Sequence, residues 1–477
     1  MSDSLKKIPI KVENSGQDTA TVSLYEAQKK IYPRAVKGVF NNLRILFVVG
    51  TQLLYLGLPW LQWNGRQAVF FDMVGRKFYL FGLTIWPQDF VYLAALLMCC
   101  AFGLFTWTTI AGRLWCGYSC PQTVYTEIML WIEQWVEGDR GKRMKLDAAP
   151  MSLAKFRLKF TKHFIMLAFS LWTGFTLVGY FTPIRSLVAA IPSFGYGPWE
   201  TFWMFFYGGF TYLFAVFMRE QVCKYMCPYA RFQSVMFDAD TLIISYDEAR
   251  GEPRGSRKKG ADPKEQGLGD CINCSICVQV CPVGIDIRNG LQYECIGCAA
   301  CIDACDDVMD KMSYPRGLIR YTTENALEGK YPEKAIPSRL KRPRVVLYSL
   351  VLLIIFTAAI TSLALRKPFK VDIIRDRASL VRETDEGWLE NTYIVKIINT
   401  TEQSQRFRIT AEGLPGIRAK AEKPEIRVDA TQTEAVTVHV EADPQYATKG
   451  SHPIRFAIQS INNPSLRVEE KSSFIGE

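Results

Sequence analysis

Histidine is scarce in this chain, and other features are missing where particular protein classes would need them. Only three histidines occur among 477 residues, which argues against a membrane haem held by paired imidazoles. Residues 369–477 contain no cysteine, so no disulfide joins parts of this tail. Residues 1–37 lack an apolar core and a small-residue cleavage site, which predicts a polar arm rather than a signal peptide.

Charge is absent from five long apolar stretches. Each is close to the roughly 20 residues that cross a hydrocarbon core of about 30 Å. We therefore predict five membrane spans, at residues 45–63, 90–112, 164–184, 201–218 and 345–365.

The basic residues are unevenly distributed. Lys and Arg number 57 against 47 Asp and Glu, a formal net charge of +10. They collect in the N-terminal arm, in residues 113–162 and in residues 219–344, next to apolar spans. This pattern indicates membrane topology rather than nucleic-acid binding, because basic loops stay on the cytoplasmic side. We expect a multi-pass protein of the bacterial cytoplasmic (inner) membrane, with its N-terminus inside and its C-terminus in the periplasm.

Eight cysteines form two copies of the spacing C-x2-C-x2-C-x3-C. In bacterial ferredoxins three close thiolates hold one 4Fe-4S cluster and the fourth serves the other cluster. Zinc sites more often use two separated C-x2-C pairs, and a reducing cytoplasm disfavours structural disulfides. We predict one cluster on Cys271, Cys274, Cys277 and Cys305, and a second on Cys295, Cys298, Cys301 and Cys281. Pro282 follows the first motif, whereas Asp306 follows the second. This difference concerns only the conformation of the local turn and leaves the ligands unchanged.

Four further cysteines lie in two C-x3-C-P motifs, each directly after an apolar span. The repetition indicates two related helix hairpins, and the i, i+4 spacing would put both thiols of a motif on one helix face. If the hairpins pack together, the four thiols converge at the inner membrane edge. They could then hold copper(I) or iron-sulfur or cycle between dithiol and disulfide, although buried helix ends would show the same residues. The candidate catalytic and copper-binding residues are Cys116, Cys120, Cys223 and Cys227.

Cys99 and Cys100 lie near the middle of the second apolar stretch. Cysteine is a common small buried residue, so packing is the default interpretation. Together with Met98 they offer soft ligands, and they are a second candidate copper site.

Other segments have their own patterns. Residues 68–83 predict a hairpin around Gly75 and Arg76 or an interfacial segment, and residues 121–137 predict an amphipathic helix under the membrane. The tail has five runs of alternating apolar and polar residues, typical of an immunoglobulin-type β-sandwich. They lie at residues 393–398, 406–410, 425–429, 435–440 and 454–458. His439 falls in one run and is interpreted as a packed or surface residue.

These features define a multidomain membrane protein. It combines an α-helical transmembrane bundle of five spans with an inserted two-cluster ferredoxin-like domain and a C-terminal immunoglobulin-like β-sandwich. The predicted domains are an arm at 1–37, a four-span region at 38–240, the ferredoxin domain at 241–343, the fifth transmembrane helix at 344–366 and the sandwich at 367–477.

Three phrases of sequence resemble a known family, at residues 76–82, 115–123 and 301–321. The chain resembles the membrane polyferredoxins that serve as accessory proteins for assembly of cbb3-type cytochrome c oxidase. The resemblance covers nearly the whole chain and implies a cupric reductase that supplies copper(I), with copper as substrate. It also implies an unidentified cytoplasmic electron donor, and oxidase subunits or a copper transporter or chaperone as partners. Quinone-linked electron transfer and a non-enzymatic assembly scaffold are the alternatives.

Overall fold

The chain divides into two compact units. The computed structural model describes residues 30–259, 262, 264–376 and 381–476, so most of the predicted N-terminal arm lies outside the described residues. The cysteine unit comprises the chain up to Val48, Ala111–Met166 and Leu213–Ile336. The sandwich unit comprises Val49–Ile110, Leu167–Tyr212 and Pro337–Glu477.

Helices are the main elements of the described chain before residue 365. In chain order they are α1 Val39–Gly57, α2 Phe90–Ala111, α3 Leu114–Tyr118, α4 Pro121–Glu137, α5 Arg140–Ala148, α6 Leu153–Val178, α7 Ile184–Ala189, α8 Pro198–Tyr212, α9 Pro228–Met236, α10 Glu248–Gly251, α11 Ile276–Gln279, α12 Ala300–Met312, α13 Glu324–Leu327 and α14 Pro343–Ala364. Two π-helical segments, Leu213–Met218 and Val222–Met226, follow α8.

Four helices in the described part of the chain are long and apolar enough to cross a membrane. They are Val39–Trp60, Pro87–Ala111, Pro198–Met218 and Pro343–Ala364. The remaining predicted span, residues 164–184, falls on α6, which ends at Val178. Lysines and His163 occupy the first half of α6. The apolar part of this helix is therefore shorter than the uncharged stretch of sequence from which the span was predicted.

The sandwich unit contains two packed sheets. Their strands are β8 Phe369–Arg375, β9 Arg382–Glu383, β10 Leu389–Asn399, β11 Gln405–Glu412, β12 Arg418–Ala421, β13 Ile426–Val428, β14 Thr433–Ala442, β15 Gly450–Ser460 and β16 Arg467–Gly476. One sheet has the order β12-β14-β10-β8 with β9 paired to β10, and the other has the order β13-β11-β15-β16. All neighbours pair antiparallel. The five predicted runs fall on β10, β11, β13, β14 and β15, which confirms the predicted sandwich.

Alternating side chains fill the core between these sheets. Tyr393, Phe407, Phe456 and Phe474 are fully buried there, and the rings of Tyr393 and Phe456 meet edge to face at 5.0 Å. Burying an aromatic side chain contributes on the order of 2 kcal/mol. This core stabilises the domain without a disulfide, as the absence of cysteine requires.

Short strands also precede α2 and flank the ferredoxin region. They are β1 Gln62–Trp63, β2 Arg66–Gln67, β3 Val69–Asp72, β4 Lys77–Leu80, β5 Leu83–Ile85, β6 Ile243–Tyr246 and β7 Ile319–Thr322. The β3–β4 turn has Arg76 at φ +52°, and the Gly75 amide donates to the Asp72 carboxylate at 2.7 Å. The hairpin predicted around Gly75 and Arg76 is therefore confirmed.

Candidate iron-sulfur and thiol sites

The two C-x2-C-x2-C loops have the same backbone conformation. In the first loop Asn273 and Ser275 have φ near +55°, at +54° and +56°. In the second loop Gly297 and Ala299 occupy the equivalent positions, at +69° and +59°. Left-handed residues turn successive backbone N–H groups toward one side, which creates a concave nest for an anionic group. A short helix, α11 or α12, follows each loop.

The first thiol group surrounds a cavity. Its lining includes Cys271, Cys274, Cys277 and Cys305, together with Arg288 and apolar side chains from α12 and β7. Burial, together with the neighbouring thiols of Cys277, Cys271 and Cys274, raises the pKa of the Cys305 thiol to about 12. Four thiols around a cavity with apolar walls fit a 4Fe-4S cluster, whose positive iron would favour the thiolate forms.

The second thiol group contains Cys281, Cys295, Cys298 and Cys301. Burial, together with the thiols of Cys298 and Cys281, raises the pKa of Cys295 to about 12. Burial likewise raises the pKa of Cys281 to about 11, with Cys298 as the next cause. The structure thus groups each fourth cysteine with the other motif. This grouping supports the predicted exchange of ligands between the motifs.

Helix α12 explains why aspartate rather than proline follows the last cysteine of the second motif. This helix runs from Ala300 to Met312 without interruption, so the chain after Cys305 stays helical, where proline would break the helix. Asp306 instead accepts a hydrogen bond from the Gly317 amide at 3.0 Å. After Cys281, by contrast, the chain leaves α11 and Pro282 fits the turn.

The two C-x3-C-P motifs have matching local structure. Cys120 precedes α4 with φ −62° and ψ 129°, and Cys227 precedes α9 with φ −75° and ψ 110°. The expectation that both thiols of a motif share one helix face is therefore wrong. A residue before proline is driven to extended backbone, so Pro121 and Pro228 end the preceding helical turn.

The two hairpins nevertheless bring the four thiols together. The Cys116 sulfur lies 3.6 Å from Oε1 and 3.5 Å from Nε2 of Gln233 on α9, and Arg113 donates to the Ala230 carbonyl. Burial, together with the thiols of Cys120, Cys116 and Cys227, raises the pKa of Cys223 to about 12. We call Cys116, Cys120, Cys223 and Cys227 the thiol site.

The thiol site adjoins the second thiol group of the ferredoxin region. A Cβ atom added to Gly117 would lie 2.8 Å from the Cys298 Cα and from the Gly297 carbonyl group. A Cβ added to Gly297 would in turn lie 3.1 Å from the Arg113 backbone. Cys116 and Cys223 also pack against the apolar cluster that contains Cys298. Backbone therefore contacts backbone between the two sites, with no side chain between them at Gly117.

Gly117→Ala should disturb this contact. Its Cβ would clash with backbone atoms, and overpacking typically destabilises by about 1–3 kcal/mol. Thermal unfolding in detergent, followed through cluster absorbance, measures the effect. Gly141→Ala is the matched control, because no atom lies within 4 Å of its added Cβ and alanine favours a helix by up to about 1 kcal/mol. Equal melting of both variants would contradict the close contact.

A buried arginine lies beside the second thiol group. Arg44 on α1 lies near the Cys298 thiol and forms an ion pair with Glu127 on α4 at 3.1 Å. Tyr118 from the first C-x3-C-P motif lies near Tyr321, whose hydroxyl donates to the Gly297 carbonyl at 2.8 Å. These contacts were not predicted from the sequence, since they join segments that are far apart in the chain.

Arg44→Gln should lower the reduction potential of the second cluster. A cation at this position stabilises the more negative reduced cluster, and one unit charge at an effective dielectric of about 20 is worth roughly 1–2 kcal/mol after screening. This corresponds to about 50–100 mV for one electron. Redox titration followed by electron paramagnetic resonance measures the shift. An unchanged potential would exclude Arg44 from this role.

The thiols are not arranged as a site of three or more ligands for one small ion. Among the described residues, no three His, Cys, Asp or Glu side chains are placed to hold a single metal ion. Cys99 and Cys100 lie on α2, and Cys100 is exposed, so the structure shows no convergent ligand set around this second candidate copper site.

Three family models match parts of the chain. Residues 218–324 match a 4Fe-4S dicluster domain, residues 93–143 match a 4Fe-4S binding domain, and residues 359–477 match the immunoglobulin-like fold at the C-terminus of FixG. Together with the apolar helices and the grouped cysteines, these matches define a membrane-bound iron-sulfur electron-transfer protein.

The curated relatives narrow this class. The chain is 38% identical to nitrogen fixation protein FixG of Rhizobium meliloti, over 82% of this chain and 81% of FixG. It is 40% identical to protein RdxB of Cereibacter sphaeroides, over 82% of this chain and 84% of RdxB. It is 37% identical to RdxA of the same organism, over 92% and 93%. The chain belongs to the family of FixG, RdxA and RdxB, which confirms the family resemblance.

Among solved structures, the chain is similar to a FixG-related protein from Vibrio parahaemolyticus. The identity is 28%, the match covers 24% of this chain and 99% of that one, and the TM-score is 0.21.

Proposed function

We propose that this protein carries electrons from its two iron-sulfur clusters to the thiol site, where copper(II) is reduced to copper(I). The observation that carries the proposal is the backbone contact of Gly117 with Gly297 and Cys298. In the step itself, one reduced cluster loses one electron and one copper(II) ion gains it. The copper(I) formed would serve the copper centre of a cbb3-type cytochrome c oxidase, as the family resemblance implies.

The chemistry of the thiol site supports copper as the substrate. Soft thiolate ligands prefer copper(I) over harder divalent ions. Burial raises the pKa of Cys116 to about 11, so the site holds protonated thiols at neutral pH until a cation displaces their protons. Copper binding should therefore release protons and strengthen as the pH rises.

The distribution of basic residues supports a location in the bacterial cytoplasmic membrane. The basic loops 113–162 and 219–344 carry the thiol site and the cluster cysteines, so we place both in the cytoplasm and the sandwich in the periplasm. A cytoplasmic electron donor then supplies the clusters. Oxidase subunits, a copper transporter or a copper chaperone would receive the copper.

A third cluster at the thiol site is the second candidate. It is favoured by the 4Fe-4S binding family model that matches residues 93–143, which include Cys116 and Cys120. The protein would then pass electrons through three clusters, for example to membrane quinone, and copper would have no part in the reaction.

The iron content separates the two candidates. Two clusters give about eight irons per chain and three clusters give about twelve. A variant with serine at all four positions of the thiol site should keep about eight irons and lose copper(II) reduction. A wild-type value near twelve that falls to eight in this variant would establish the third cluster and contradict the copper proposal.

A further inference from the structure

A cavity of about 480 Å³ lies in the cysteine unit, apart from the thiols. It is lined by the N-terminal arm, α4, the first half of α6, the first π-helical segment and the chain that follows this segment. Its lining includes Lys30, Lys159, Lys162, Arg219, Glu133 and Phe217. No cysteine is among its lining residues.

The chain is irregular where it lines this cavity. The π-helical segment Leu213–Met218 is followed directly by Arg219, which has φ +34°. The Gln122 amide donates to the carbonyls of Phe214 at 2.9 Å and of Arg219 at 3.1 Å. π-Helical turns are frequent at functional sites, and interrupted helices in membrane proteins occur where the backbone is buried or lines a cavity.

Cationic groups outnumber the carboxylates with which they form ion pairs around the cavity. Glu133 contacts Arg143 at 3.0 Å, Lys162 at 3.4 Å and Arg219 at 2.7 Å. Burial alone would raise the pKa of Glu133, but Arg219, Lys162 and Arg143 lower it to about 2. This carboxylate is therefore charged at neutral pH and is shared by three cations.

A second set of ion pairs extends the basic lining. Glu137 contacts Lys159 at 2.8 Å and Lys162 at 2.9 Å, and Asp147 contacts Lys159 at 2.5 Å and Lys30 at 2.8 Å. Across these ion pairs five cations share three carboxylates, and in the cavity lining itself four of those cations lie beside only Glu133 and Glu220. The remaining positive charge is partly removed from water, where an anion would stabilise it.

The cavity also lies at the ends of apolar helical stretches. The apolar part of α6 begins at Phe164, directly after Lys162 and His163, and the span Pro198–Met218 ends one residue before Arg219. Basic pockets between membrane helices at this level bind phosphate-bearing headgroups.

We propose that this cavity binds a phosphate group, carried by an anionic phospholipid headgroup or by a soluble phosphate compound. The bound phosphate would contact the cationic lining and hold Arg219 in place, four residues before Cys223. Occupancy of the cavity would therefore fix the chain that leads into the second pair of thiols. This inference does not depend on copper or on the number of clusters.

Native mass spectrometry of the full-length protein in detergent tests the proposal. The probes are phosphatidylglycerol, phosphatidylcholine and inorganic phosphate. Lys30→Glu should weaken phosphate-group binding about tenfold without unfolding the protein, because the Lys30 side chain is 49% exposed. Lys145→Glu is the matched control, since this exposed lysine makes the same charge change outside the cavity lining, and it should change binding less than twofold. Glu220→Lys should tighten binding.

The outcomes are distinct. Phosphatidylglycerol binding that depends on Lys30 and is not displaced by inorganic phosphate supports the lipid source. Inorganic phosphate that binds with the same dependence on Lys30 supports the soluble source. The proposal is overturned if neither probe binds more tightly than phosphatidylcholine, or if Lys30→Glu and Lys145→Glu weaken binding equally.

Discussion

Replacing both Cys116 and Cys223 with serine should lower the rate of copper(II) reduction at least ~100-fold. This corresponds to about 2.7 kcal/mol of activation free energy. One soft ligand is lost from each C-x3-C-P motif, and serine oxygen is a poor ligand for copper(I). These two thiols are also the ones that pack against the apolar cluster containing Cys298. A copper(I)-specific chelator, added to protein with chemically reduced clusters, measures the rate.

The matched control is the pair Cys99→Ser and Cys100→Ser on α2. These residues also offer two soft ligands, but Cys100 is exposed on α2 and neither residue is among those that pack against the apolar cluster containing Cys298, so the rate should stay within about twofold. A rate that survives the loss of Cys116 and Cys223 would contradict copper reduction at the thiol site. If the rate is lost only in the α2 variant, copper(II) is reduced at Cys99 and Cys100 instead.

Removing cluster ligands in pairs should show that each cluster takes three cysteines from one motif and one from the other. Cys274→Ala combined with Cys305→Ala removes two ligands from the same thiol group, so about four of eight irons should remain. Cys274→Ala combined with Cys281→Ala removes one ligand from each thiol group, so little iron should remain. The physical reason is that Cys305 lies with Cys271, Cys274 and Cys277 around one cavity.

Iron and sulfide analysis of the purified variants makes this test independent of any activity. If each cluster instead used four consecutive cysteines, the two double variants would exchange their results. A protein that loses all iron in every variant would be a failure of assembly, and single variants then provide the comparison: Cys305→Ala and Cys274→Ala should remove the same spectral signal, and Cys281→Ala the other.

Local sequence patterns predicted the elements on which chemistry depends. The cysteine spacings predicted two ferredoxin motifs, and their paired left-handed positions in the structure follow from that repetition. The amphipathic helix predicted at residues 121–137 is α4, Pro121–Glu137, because Pro121 and Gly138 bound it. The alternating runs of the tail became strands because period-2 burial is a local property of the sequence.

Contacts between distant segments could not be predicted in this way. On α4, Glu127, Glu133 and Glu137 are buried while Trp135 is 77% exposed, because the glutamates find cationic partners and the tryptophan lies on the outer face. Hydrophobic periodicity alone would instead bury the tryptophan and expose the glutamates. The close approach of Gly117 to Gly297 likewise has no signature in a single sequence, since glycine is required there only by the backbone of the other segment.

The reduction of copper(II) by the clusters through the thiol site is tested most directly by a single turnover. Protein with both clusters reduced is mixed without oxygen with one equivalent of copper(II), and cluster absorbance and copper(I) are followed together. The account predicts that the clusters are oxidised at the rate at which copper(I) appears, and that both rates fall in the Cys116→Ser, Cys223→Ser variant. Copper(I) that appears without cluster oxidation, or cluster oxidation that is unchanged in this variant, would contradict it.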